Sequence, residues 1–217
     1  MNRDGINKTI FWLLLYIFLY SACTVIANLY LPNLLLITVG VSGIIYIIFN
    51  LVFIPYKREK LFVNGIFGAL AVMFIGIWLG KQLDLESTIS IGAVVTTMDI
   101  ISFTKIGKRT VNAKAMSNKT VAAKLFVYGL EKKGMLIPTC GFGDYLYYAM
   151  WISGTHVLSS SGISYVFVAF MVCVGTIIQS ITVKSLSKKD GFKGFPGTVF
   201  PFLCTVLAYF VLYYQVL

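Results

Sequence analysis

Stretches of predominantly apolar residues, each long enough to cross a bilayer, recur along the chain and constrain its fold more than any motif does. About 20 such residues in helical conformation traverse the roughly 30 Å of hydrocarbon in a membrane. Seven runs meet that length approximately, at 10–30, 33–54, 61–80, 87–104, 134–157, 161–183 and 197–217. They predict an all-α membrane protein, a polytopic helical bundle of about seven transmembrane helices, because a backbone in lipid must satisfy its own hydrogen bonds. Composition agrees, with 58% hydrophobic residues and a mean hydropathy of +0.85. The first run is too long for a secretory signal, and a second follows at once, so it reads as a retained helix.

Charge sets the expected orientation. The formal net charge is +10, which in another chain would suggest nucleic acid. Here the basic residues lie in the N-terminal tail and in short connections, and on a seven-span topology all but Lys81 fall on one side. Cytoplasmic loops collect Lys and Arg, so this predicts a cytoplasmic N-terminus and an outward C-terminus, with no nucleic-acid partner. The long connection 105–133 carries Val111, Ala115, Val121, Leu125 and Phe126 among lysines. It reads either as a helix on the membrane surface over 111–130 or as a solvated basic linker. Asn7 and Asn118 begin glycosylation patterns but would face the cytoplasm, where that modification does not occur. Cys23, Cys140, Cys173 and Cys204 lie in apolar runs without metal-ligand spacing and read as small buried hydrophobes. Trp12 and Trp78 read as interfacial anchors, and His156 as an interfacial side chain.

Only two acidic residues, Asp99 and Asp144, fall inside the runs. A carboxylate at bilayer depth costs several kcal/mol and marks a candidate functional site. Asp99 precedes the basic connection by six residues, about 9 Å along a helix, and Asp144 is expected about 15 Å into a helix starting at Gly134. Depths that similar allow the two to meet. Two carboxylates close together in low dielectric share one proton, so one can act as base on water while the other polarises a carbonyl. Gly141, expected on the helical face of Asp144, would admit a neighbouring helix or a substrate, and Pro138 would loosen that helix where water enters. The same acids suit a proton or cation relay in a transporter or channel, or a structural role in which Asp99 bonds Thr96, Thr97 or Ser102. No metal cluster, Ser-His pairing or nucleotide loop appears, and the acid pair needs no cofactor.

Thr97-Met98-Asp99, Gly141-Phe142-Gly143-Asp144 and Phe195-Pro196-Gly197-Thr198 together resemble the presenilin and signal peptide peptidase family of GxGD intramembrane aspartyl proteases. There an aspartate usually preceded by tyrosine stands on one helix, Gly-x-Gly-Asp on the next, and Pro-Ala-Leu opens the last. Met98 stands here in place of the tyrosine, and Gly197-Thr198 in place of Ala-Leu. The 45-residue separation of the aspartates is close to that of signal peptide peptidases, and the seven runs resemble the third to ninth helices of a nine-span family. The resemblance implies catalytic Asp99 and Asp144, with Met98, Gly141, Phe142, Gly143, Pro196, Gly197 and Thr198 as motif or substrate-binding residues. It also implies substrates that are single transmembrane helices, unwound near the acids so that water can reach a peptide bond. On this reading the single domain 1–217 comprises N-terminal helices in 1–80 and catalytic helices in 87–217. An inactive relative is the remaining alternative. A compact chain without targeting extensions points to a prokaryotic plasma membrane.

Overall fold

A computed structural model of the chain describes residues 3–104, 107, 118–130, 135–188 and 195–216. It is mostly helical. Four long helices come first: α1 (Arg3–Tyr30), α2 (Asn33–Val52), α3 (Leu61–Gln82) and α4 (Leu85–Ser102). A short α5 (Lys119–Lys124) leads into a hairpin of β1 (Phe126–Leu130) and β2 (Leu136–Gly141), followed by α6 (Phe142–Gly154), α7 (Gly162–Leu186) and α8 (Val199–Val216). The helices break where the sequence supplies caps. Pro32 holds an extended conformation ahead of α2, and Asp84 caps α4 by accepting the Ser87 N–H at 2.7 Å. That bond holds the Asp84 carboxyl below its usual range. Ser161 caps α7 in the same way through the Ser164 N–H.

Five helices are long and apolar enough to cross a membrane by length and composition: Gly5–Tyr30, Asn33–Val52, Arg58–Gln82, Leu85–Ser102 and Gly162–Leu186. The apolar helix Val199–Gln215 is shorter. Large apolar side chains such as Phe18, Ile45, Phe49, Ile163 and Phe170 face outward, as lipid contact requires.

The expected span at 134–157 is not one helix. Residues 136–141 form β2, paired antiparallel with β1 in the register Tyr128↔Pro138, Gly129↔Ile137 and Leu130↔Leu136. The expected surface helix fails for a related reason. Its described part is helical only over Lys119–Lys124 before the chain turns into β1, while Val111 and Ala115 lie outside the described residues. Phe126, Val127, Tyr128, Ile137 and Thr139 favour a pleated strand, and Pro138 lacks the N–H that a helix interior needs. Apolarity alone does not separate a short buried strand from a helix.

The hairpin lies against α1 and α3. The Tyr16 hydroxyl donates to the Tyr128 carbonyl at 3.0 Å, and Trp12 covers Gly129, where a Cβ would approach the indole to 2.3 Å. Trp12 is thus a packing residue for the hairpin. The Lys124 ammonium donates to the carbonyls of Asn50 at 2.8 Å and Ile54 at 2.5 Å, closing the C-terminal end of α2. Lys81, the cation expected on the opposite side, donates to the Asn28 carbonyl at 3.2 Å, where α1 ends.

α6 occupies the centre. Tyr145, Tyr148, Trp151 and Ile152 are fully or almost fully buried, and α3 packs along the helix through small residues. A Cβ on Gly76 would stand 2.6 Å from the Leu146 carbonyl oxygen, and one on Gly80 would stand 2.4 Å from that of Met150. Gly76 and Gly80 form a Gly-x-x-x-Gly pair that lets two backbones approach closely. Gly76→Leu is expected to push α3 off α6 and to destabilise the detergent-solubilised protein by about 2 kcal/mol or more. Gly162→Ala, whose Cβ meets only Leu29 side-chain atoms at 3.6 Å and beyond, should be near neutral in the same thermal unfolding series.

Candidate functional site

Asp99 is placed by one face of α4. Thr88, Gly92 and Thr96 are buried at intervals of four, and Asp99 continues that line one turn further. Gly92 seats α4 on the Phe202 ring of α8, which a Cβ would approach to 2.2 Å, and Thr88 lies against Gly154 at the end of α6. At the lower end of this seam the Asp99 Oδ2 accepts the Thr198 N–H at 3.2 Å and the Thr198 hydroxyl at 3.0 Å. The local partners considered from sequence do not hold the carboxylate. Ser102 donates to the main-chain carbonyl of Asp99 at 2.6 Å, and the buried Thr96 hydroxyl has no hydrogen-bond partner.

Asp144 is placed by the hairpin. Gly141 ends β2 in an extended conformation (φ −77°, ψ 155°) and precedes α6, so Asp144 falls in the first turn of that helix. The Phe142 N–H donates to the Leu125 carbonyl at 2.9 Å, fixing this start against the root of β1. Two expectations change accordingly. Gly141 does not share a helical face with Asp144, and Pro138 stands in a strand, where it loosens no helix. Asp144 reaches its depth because a strand carries the chain to it, not because a helix runs past it.

The two aspartates converge on one turn. A Cβ on Gly197 would lie 3.0 and 3.1 Å from the two Asp144 carboxylate oxygens, while Thr198 bonds Asp99. The carboxylates therefore flank consecutive residues and stand within electrostatic reach of each other. The turn itself is clamped: the Gln179 side-chain amide of α7 donates to the Pro196 carbonyl, and the Tyr148 hydroxyl of α6 donates to the Gly197 carbonyl at 3.1 Å. Thr198 then caps α8, accepting the Phe202 N–H at 2.9 Å. Each carboxylate lies at the N-terminal end of a helix, Asp144 in the first turn of α6 and Asp99 at the entrance to α8. The dipole there favours negative charge.

The other motif residues divide. Phe142 is buried beneath α3, its ring filling the space a Gly68 side chain would take. Gly143 is exposed, and nothing lies within 4 Å of where its Cβ would be. There is thus open space at Gly143, the residue before Asp144. Met98 faces outward, away from the turn. Pro196 is buried and serves through its carbonyl.

Three contributors were not singled out by sequence reasoning. Cys140 is buried and its thiol donates to Asp144 Oδ2 at 3.1 Å. Tyr148 and Gln179 hold the turn. Nothing in the pattern marks Cys140, although a polar Gln179 within the apolar run 161–183 was a visible signal. Cys23 is exposed rather than buried. His156 Nδ1 lies 3.1 Å from the Ser153 carbonyl at the far end of α6, remote in sequence and in depth from both acids. Among the described residues no group of His, Cys, Asp and Glu is arranged to hold a metal ion.

The opening at Gly143 has a direct test. A Gly143→Cys thiol should react with a small water-soluble methanethiosulfonate reagent at least tenfold faster than native Cys140, read by intact-protein mass spectrometry. Equal protection of both would close the space at Gly143. Comparison of the chain with protein-family models, with curated proteins and with solved structures finds no match.

Proposed function

We propose that this chain is an intramembrane aspartyl protease of GxGD type, hydrolysing peptide bonds within transmembrane helices of other proteins. The observation that carries the reading is the single turn Gly197-Thr198, which touches both Asp144 and Asp99. Two half-buried acids separated by 45 residues need not share a turn if each has a separate structural task. A shared, partly open site is what hydrolysis by an acid pair requires.

In the proposed reaction the pair holds one proton between its members. The ionised carboxylate takes a proton from water as the oxygen adds to the peptide carbonyl carbon, and the protonated partner gives its proton to the carbonyl oxygen. Collapse of the tetrahedral diol, with proton transfer to the amide nitrogen, breaks the C–N bond. The helix ends at α6 and α8 and the Thr198 donors hold charge in place before the reaction, which is where electrostatic catalysis gains most.

A substrate helix must first unwind, because its peptide groups are occupied by their own hydrogen bonds. The unwound stretch then finds main-chain partners along β2, whose outer edge pairs with no other strand among the described residues. The turn at Pro196 serves less well for this, since the carbonyls of Pro196 and Gly197 and the N–H of Thr198 are already engaged. The proposed setting is a seven-span protein of a prokaryotic plasma membrane, N-terminus cytoplasmic, acting without a cofactor.

Cleavage of a fluorogenic single-span peptide by purified protein in detergent is expected to show a bell-shaped pH dependence and inhibition by a transition-state-mimicking aspartyl protease inhibitor. Asp99→Asn and Asp144→Asn should fold yet lose cleavage at least 10³-fold, because neither half of the pair works alone. Retention of activity in either variant would overturn the assignment. Gly197→Ala presses a methyl group on the Asp144 carboxylate and should lower kcat/KM about tenfold with little change in thermal stability.

A further inference from the structure

Away from the acid pair, α1 and α7 diverge. The two helices touch where Cys173 Sγ meets Ser21 Oγ at 3.7 Å. They run antiparallel from that point, and toward the start of α1 and the end of α7 they part around a cavity of about 320 Å³. Its walls are Ile10, Phe11, Leu14, Ile177 and Ile181, and its remaining lining residues are Asn7, Ser180 and Lys184. The polar residues gather at one end: Asn7 opens the first turns of α1, and Lys184 lies in the last turn of α7. Among the described residues no carboxylate lines the cavity.

We propose that this groove is a binding site for an anionic phospholipid. It is an open groove whose apolar walls, with Phe11, Ile177 and Ile181 exposed, offer a hydrocarbon chain a surface to lie against. Its mouth offers an ammonium, a side-chain amide and the positive end of the α1 dipole, a set that suits a headgroup of net negative charge more than a zwitterionic one. Ser180 adds no donor there, because its hydroxyl is committed to the Thr176 carbonyl at 2.8 Å. Lys188, exposed one turn beyond Lys184, extends the cationic rim outward. The mouth lies at the end of the bundle that also holds Lys124 and the α2–α3 connection, with Lys57, Arg58 and Lys60, so an anionic leaflet would meet it.

Native mass spectrometry of the detergent-purified protein tests this, titrating phosphatidylglycerol against phosphatidylcholine of the same acyl chains. Phosphatidylglycerol is expected to bind at least fivefold more tightly to one site. Lys184→Gln should cost about fivefold of that preference, the worth of one lysine near an anionic headgroup. Ile177→Trp, which crowds the apolar wall of the groove, should weaken both lipids. Equal binding of the two lipids, or a preference indifferent to Lys184→Gln, would overturn the proposal. Dimer formation that lipid does not displace and Ile177→Trp abolishes would overturn it in favour of a second copy of the chain. The measurement does not involve peptide cleavage, so it stands or falls apart from the protease reading.

Discussion

Thr198 gives Asp99 two hydrogen bonds, from its main-chain N–H and its side-chain hydroxyl, while Gly197 before it lies against Asp144. The lower half of the bundle depends on this turn. α4 is otherwise held by Thr88 against Gly154, by Gly92 on Phe202 and by Leu85, Ile89 and Ile91 against the core, while Val94, Met98 and Ile100 face outward. Gln179 from α7 and Tyr148 from α6 fix the turn from the other side. Four helices meet at three residues. Carboxylates at such a place are costly unless donors and helix ends receive them, and both acids here have one of each.

The position of Asp144 follows from the hairpin. A continuous helix over 134–157 would carry the aspartate mid-helix, with its backbone N–H groups already bonded. The strand β2 instead ends at Gly141, and α6 starts with its first N–H groups near the carboxylate. Gly143 is exposed at that end, while most of the helix beyond it is buried. Close approach at Gly76 and Gly80 makes α6 a rigid base. One end of the helix thus carries the carboxylate and the exposed glycine, and the other end is given to packing.

Much of this was legible. The apolar runs marked α1 to α4, α7 and α8, and the two aspartates and Pro196 marked the turn at which they meet. The hairpin was not legible, because five or six apolar residues satisfy a buried strand and a helix equally. Pro138 was the residue to weigh: read as a helix kink, it sits instead in β2 opposite Tyr128. Gly76-x-x-x-Gly80 was a readable packing signal that points to α6. Cys140 was not readable at all. Four residues before Asp144, it suggests a helical neighbour, whereas its thiol reaches the carboxylate from the penultimate residue of a strand.

Proximity of Asp99 and Asp144 is the claim on which the rest turns. Its most direct measurement is chemical: replace the four native cysteines, introduce Asp99→Cys and Asp144→Cys, and treat the protein with a short bifunctional thiol reagent. Peptide mass spectrometry should then find the segments of α4 and α6 joined within one molecule at high yield, and unjoined when Asp99→Cys is exchanged for Val94→Cys on the outward face. Failure of the first pair to join in folded protein, or equal joining of both pairs, would contradict a shared site.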